Sequence, residues 1–249
     1  MRRRKFNPLP WAISIVLILL FVVGVRLACR VFTTSDYFLV KEVIVSGRQD
    51  REVNYLKGRN IFSIDLHKES EHIAGYSPES LRVSLVRLFP DRIFVNFVQR
   101  EPVALVSLYR YFAVDESGVL FELPVNYEKE NLIVISGLTS KITKVIPGRR
   151  LESKELDLAL AVIKEIKRYP NLNSLQIKRI DIEGSDYITM LISVKEEQKI
   201  LEVRISRGNI LEKIAVMSGL IAQRKNNLKD VRYIDLRFNE PVINIKDAK

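Results

Sequence analysis

The stretch Leu81-Arg82-Val83-Ser84-Leu85-Val86-Arg87-Leu88-Phe89-Pro90-Asp91-Arg92-Ile93-Phe94-Val95-Asn96-Phe97-Val98 reads as a β-hairpin. Its first half mixes apolar and polar residues in near alternation. Its second half sets Ile93, Val95 and Phe97 on one face, as period-2 geometry requires. Phe89-Pro90-Asp91 supplies the turn. Working upstream, Val40 to Gly47 reads as a strand ended by a glycine turn. Residues 50–57 fit a short helix, Gly58-Arg59-Asn60 a turn, and Ile61 to Ile64 a buried connector. Asp65 is placed to cap a helix through about His67 to Gly75, which Ser77-Pro78 ends. The order strand, helix, helix, strand, strand predicts two helices on one face of a small three-stranded sheet.

Downstream of Ala104 the pattern changes to strands with a few helices. Tyr111 to Phe121 reads as two strands around Asp115-Glu116-Ser117-Gly118. Leu132 to Gly137 is a further short strand. Ser153 caps a predicted helix to about Tyr169 with Leu156, Leu160, Ile163 and Ile166 on its buried side. Strands follow at 175–182, 187–194 and 199–206. In the last, Leu201, Val203 and Ile205 alternate with Glu202 and Arg204. Gly208-Asn209 opens a helix with Leu211, Ile214, Ala215, Ser218 and Ile221 on one face, closed by Asn226-Asn227. Val231 to Phe238 is a strand, Asn239-Glu240-Pro241 a turn, and Val242 to Ile245 the last strand. The class is α+β. The adjacent acids Asp115 and Glu116 fit turn chemistry and solvated charge better than catalysis.

Several fragments, in order, resemble one family. They are Phe38-x-Val40-x-x-Val43-x-Val45-x-Gly47, Gly58-x-Asn60-x-Phe62-x-Ile64-Asp65, Phe89-Pro90-x-Arg92-Ile93-x-Val95 and Arg100-Glu101-Pro102-Val103-Ala104. This run resembles a POTRA domain, and more narrowly that of the bacterial cell-division family FtsQ/DivIB. Tyr233-Ile234-Asp235-Leu236-Arg237-Phe238 is similar to the segment that closes the family's β domain. Arg48 departs from the Asn that often follows the glycine in the family. The residues of these fragments are themselves fold determinants rather than a chemical site.

The resemblance frames the N-terminus. The chain has 249 residues, 40 Lys and Arg against 30 Asp and Glu, and a formal net charge of +10. Six of those bases (Arg2, Arg3, Arg4, Lys5, Arg26 and Arg30) lie in the first 30 residues, which hold no acid. The apolar run Trp11 to Val25 would rise about 22 Å as a helix, short of a hydrocarbon core of roughly 30 Å. Leu9 and Pro10 before it, and Leu27 to Phe32 after it, lengthen the run, with Arg26 and Arg30 snorkelling to headgroups. A cleaved signal peptide and a lipoprotein signal ending at Cys29 share this layout. Arg26 spoils both processing sites, so an uncleaved signal anchor with a cytoplasmic N-terminus is the preferred reading. The expected organisation is a cytoplasmic tail at 1–10, a membrane span at 11–32, a POTRA domain at 38–103 and an FtsQ/DivIB-type, mostly antiparallel β domain with flanking helices at 104–246.

What the resemblance implies is a divisome scaffold without enzymatic activity or cofactor. It would sit in the cytoplasmic (inner) membrane as a single-pass type II protein at the septum, linking early division proteins to septal peptidoglycan synthesis. Its implied partners are FtsB-like proteins (DivIC in some bacteria) and FtsL-like proteins. A last strand at a sheet edge can accept a partner strand through its free backbone groups. Family carry-over places the contact on Tyr233, Leu236, Arg237, Phe238, Glu240, Val242, Ile243, Asn244 and Ile245. Glu240-Pro241 departs from the small residues usual in that turn, and Pro241 has no N–H to pair. The bland alternative makes Val242 to Ile245 an ordinary core strand.

Rival classes have little support in the residues. One cysteine and two histidines exclude a disulfide framework and leave little for metal or triad chemistry. No Gly-x-Ser-x-Gly or His-Glu-x-x-His motif suggests a hydrolase. The basic excess lies at the apolar run, with no aromatic and basic platform for nucleic acid. A POTRA-bearing transport or assembly factor is the remaining alternative, though residues 105–249 lack the long alternating strands of a barrel.

Overall fold

A computed structural model describes residues 9–47, 51–123, 127–138, 144–172, 175–183, 186–194, 199–223 and 228–245. Most of the expected tail, Arg48 and Asn226-Asn227 lie outside the described residues. The chain divides into two compact units, residues 1–99 and 100–249.

The first unit begins with helix α1, Leu9–Thr34. Its segment Ile13–Thr34 has 22 residues, a mean hydropathy of 2.5 and no buried residue, which makes it long and apolar enough to cross a membrane. Strands β1 (Glu42–Ser46), β2 (Ser80–Leu88) and β3 (Arg92–Gln99) form a sheet in the order β1-β3-β2. β2 and β3 are the antiparallel hairpin read from the sequence, while β1 runs parallel to β3. Ile93, Val95 and Phe97 are buried, as their alternation requires. Helix α2, Leu66–Tyr76, starts where Asp65 accepts hydrogen bonds from the His67 and Lys68 amides at 3.1 and 3.3 Å. The short helix expected at 50–57 is present as a six-residue 3-10 helix, Arg51–Leu56, held by buried Val53 and Leu56. Val40 lies outside the strand. Its amide donates to the Arg59 carbonyl at 2.9 Å and its side chain is buried. Arg87 donates from Nε and Nη2 to the Ile61 and Ile64 carbonyls, tying the connector to β2.

The second unit is one large sheet. Its strands are β4 (Ala104–Ser107), β5 (Tyr111–Val114), β6 (Leu120–Phe121), β7 (Ile133–Ser136), β8 (Leu175–Asp181), β9 (Tyr187–Val194), β10 (Lys199–Ser206), β11 (Val231–Leu236) and β12 (Val242–Ile245). The spatial order is β12-β11-β10-β9-β8-β7-β4-β5-β6. Pairings β4–β7, β7–β8 and β10–β11 are parallel and the rest antiparallel, so the sheet is mixed. Each parallel pair needs a crossover. Helix α3 (Lys154–Ile166) lies in the β7–β8 crossover and α4 (Ile210–Gln223) in the β10–β11 crossover. Both pack into one core with Ile135, Ile180, Met190, Val203 and Ile234. Leu105, Ala113 and Phe121 form a separate small cluster.

Both helices bury a slightly different stripe from the one expected. On α3 the buried residues are Leu156, Ala159, Val162, Ile163 and Ile166, while Leu160 is only half-buried. On α4 they are Ile210, Ile214, Met217, Ser218 and Ile221, and Leu211 is 51% exposed. Asn209 enters α4 with a left-handed φ of 53°, which sets Ile210 rather than Leu211 toward the sheet.

At the far edge, β6 is covered by the loop around Gly148. Gly148 N donates to Leu120 O at 2.7 Å, Leu120 N to Arg149 O at 3.3 Å, and Leu151 N to Gly118 O at 2.9 Å. Gly137 ends β7 with φ +89°, and a Cβ there would overlap the backbone of Ile182 and Glu183. Backbone cannot swing aside, so Gly137→Ala is expected to cost about 3 kcal/mol. Gly58→Ala, with φ +79° but open space around it, should cost about 1 kcal/mol. Thermal melts of the two detergent-solubilised variants would show the difference.

Candidate partner-binding edge

β12 pairs with β11 on one side only, and among the described residues no strand flanks its other side. Its register sets Val242 opposite Asp235, Ile243 opposite Ile234, and Asn244 opposite Tyr233. Ile243 therefore packs against the main core. Val242 and Ile245 are exposed, and Asn244 is half-buried.

The nine residues assigned to this surface do not behave alike. Leu236 is fully buried with 0% exposure and supports the edge from beneath. Tyr233, Arg237, Ile243 and Asn244 are half-buried, whereas Phe238, Glu240, Val242 and Ile245 are exposed. Phe238 was expected inside the strand. The strand ends at Leu236, because Asp235 Oδ1 accepts the Arg237 amide at 3.0 Å and turns the chain early. Phe238 therefore stands in the turn, 58% exposed.

That turn is braced by charges. Arg237 grips Asp235 through Nε and Nη2 at 3.0 and 2.6 Å. Its guanidinium also lies over the rings of Tyr187 and Phe238, at 5.0 and 5.6 Å. Lys213 Nζ of α4 donates to the Phe238 carbonyl. Beside it, Arg204 donates to Glu202 at 2.7 Å and covers the Tyr233 ring at 5.3 Å. The Arg237 hydrogen bond holds the Asp235 carboxyl below the usual carboxylate range, outweighing the opposing effect of burial. Tyr187, Glu202, Arg204 and Lys213 were not among the expected site residues. Glu202 and Arg204 carried a signal, the outward phase of their strand, but their neighbours follow from the β10–β11 pairing.

The acid pair Asp115-Glu116 is a turn. Asp115 Oδ1 accepts from Ser117 N, Ser117 Oγ and Val119 N at 2.9, 2.6 and 3.0 Å. Its Oδ2 meets Arg100 Nη1 at 2.5 Å. Burial alone would raise the Asp115 pKa, but these bonds from Ser117, Val119 and Arg100 hold it below the usual range. Glu116 is exposed. Among the described residues no group of three or more His, Cys, Asp and Glu side chains gathers as a metal site.

The family model described as "Cell division protein FtsQ/DivIB, C-terminal" matches residues 104–237, more than half of the chain. The chain belongs to the FtsQ/DivIB family of cell-division proteins. Its FtsQ/DivIB relatives include the cell division protein FtsQ of Syntrophotalea carbinolica, 24% identical over 234 residues, covering 90% of this chain and 80% of that protein. The cell division protein DivIB of Clostridium acetobutylicum is 26% identical over 219 residues, 84% of each chain. The FtsQ of Koribacter versatilis is 23% identical over 187 residues, covering 74% of this chain and 52% of that protein. The FtsQ/DivIB match ends at Arg237, so Phe238 and β12 lie just beyond the matched residues.

Proposed function

We propose that this chain is a non-enzymatic scaffold of the division machinery. α1 anchors it in the cytoplasmic membrane with the N-terminus inside and residues 33–249 outside, at the septum. Residues 38–103 act as a POTRA module, a reading supported by the β1-β3-β2 sheet and the helix α2 beside it. Residues 104–246 form the partner-binding β domain. The outer side of β12, which no strand flanks among the described residues, beside the exposed ring of Phe238, carries the functional reading. It suits addition of a strand from an FtsB-like membrane protein, with FtsL as its companion, and so a link to septal peptidoglycan synthesis. Main-chain hydrogen bonds would supply affinity and alternate side chains specificity.

Two fusions test this reading. A fluorescent fusion is expected to form a midcell band during division. Alkaline phosphatase joined after Lys249 is expected to be active. Uniform membrane fluorescence would refute the septal role, and an inactive phosphatase would refute the orientation.

A further inference from the structure

The end of α1 and three separate pieces of the first module bring five aromatic rings together. Phe32, in the last turn of α1, lies 5.5 Å from Phe38 and 5.9 Å from Phe62. Phe38 and Phe62 are 5.1 Å apart, Phe62 and Phe89 5.4 Å, and Tyr37 and Phe38 5.1 Å. Buried Asn60 fastens the assembly. Its Nδ2 donates to the Phe32 carbonyl at 3.0 Å, and its Oδ1 accepts the Phe62 amide at 2.9 Å. The rings are thus held in place, yet they are not covered. Phe32, Tyr37, Phe62 and Phe89 are exposed, Phe89 by 58%, and Leu88 beside it at the hairpin tip is exposed as well. A contiguous apolar patch of this kind marks a surface meant to be covered.

The position of the cluster selects what covers it. At 1.5 Å per residue, Trp11 to Phe32 rises about 32 Å, matching a hydrocarbon core of about 30 Å. With Trp11 at one boundary, Phe32 lies at the other, and the rings packed on it lie at headgroup level. Aromatic rings are favoured at that depth. Arg26 and Arg30 lie within two turns of Phe32, where their stems can carry the guanidinium groups up to lipid phosphates.

We propose that Phe32, Tyr37, Phe38, Phe62 and Phe89 form an interfacial anchor that lays the first module against the bilayer surface. The occupant of the patch is the outer leaflet itself. The proposal rests on reading α1 as a membrane span. It goes beyond that reading, because a span alone would leave the module on a free tether.

Tryptophan fluorescence tests it, since Trp11 is the chain's one tryptophan. The full chain carrying Trp11→Phe and Phe89→Trp is reconstituted in phosphatidylcholine and phosphatidylglycerol vesicles. A second reporter carries Trp11→Phe and Tyr37→Trp. Both replace exposed rings with a ring, so the fold is retained. The expected result is blue-shifted emission, loss of intensity when lipids brominated near the headgroup are included, and protection from aqueous iodide. Water-like emission open to iodide, with no loss to brominated lipid, would overturn the anchor. Trp11 in the unmodified chain separates the two readings. If Trp11 is quenched by brominated lipid and the reporters are not, the anchor alone fails. If Trp11 is also unquenched, the span fails and the anchor falls with it.

Discussion

Asp115→Ala is expected to destabilise the second unit by about 3 kcal/mol and to lower its melting midpoint by about 10 °C. The carboxylate serves three donors within its own turn, from Ser117 and Val119, and a fourth from Arg100. Removing it leaves the amide of Val119 and the guanidinium of Arg100, whose side chain is 13% exposed, without their bonds to this carboxylate. Breaking one partner of a buried pair costs more than the pair itself contributes. The control is Asp157→Ala. Its ion pair with Arg150 is similar in length, 2.9 Å, but both side chains are about half exposed. Solvent screening should hold that loss below about 1 kcal/mol. A pH series adds a second arm. The folded pKa of Asp115 is depressed, so its contribution is complete above the unfolded value of about 3.9 and is lost as pH falls through the folded one. The gap between wild type and Asp115→Ala should therefore be full at neutral pH and close below about pH 4. A gap that persisted unchanged into acid would contradict the assignment.

Phe238→Ala is expected to weaken capture of an FtsB-type partner by roughly 30-fold, the equivalent of about 2 kcal/mol for an exposed aromatic anchor. The fold should be unaffected, since the ring is mostly exposed and the Arg237 to Tyr187 contact remains. Truncation after Asn239 removes β12 altogether and is expected to abolish capture. Binding measured with the purified partner, alongside melts of each variant, checks both. A chain truncated at Asn239 that bound as well as the full chain would refute strand addition at this edge.

Local patterns in the sequence carried most of the first unit. The hairpin of β2 and β3 was legible because alternation and a Pro turn are contained within one stretch. Asp65 was legible as a cap because capping acts within three residues. The short helix at Arg51–Leu56 was legible too, but its 3-10 character was not, since one short turn of either helix leaves the same apolar spacing. In the second unit, the strands were mostly visible and their neighbours were not. The parallel pairing of β10 with β11 is decided by the α4 crossover, and it alone brings Arg204 over Tyr233. On α4, Ile214, Ser218 and Ile221 were read correctly, but Leu211 and Ala215 were taken for the buried Ile210 and Met217, because Leu211 is as apolar as Ile210 and periodicity alone does not choose between them. The end of β11 was placed two residues late because Asp235 was read as a pleat residue, when its side chain captures the Arg237 amide. For the same reason the sequence located Phe238 but not the bracing that presents it.

The loop over β6 has a consequence for how many copies of anything this sheet can join. With Gly148 to Leu151 bonded along that edge, β12 is, among the described residues, the end of the sheet at which the proposed strand addition would take place. In the language of polymer growth the sheet is monofunctional: one added strand consumes its reactive end, and two chains meeting edge to edge would terminate one another. Such a sheet can cap an assembly or fix its stoichiometry at one strand per chain, but it cannot propagate a fibre.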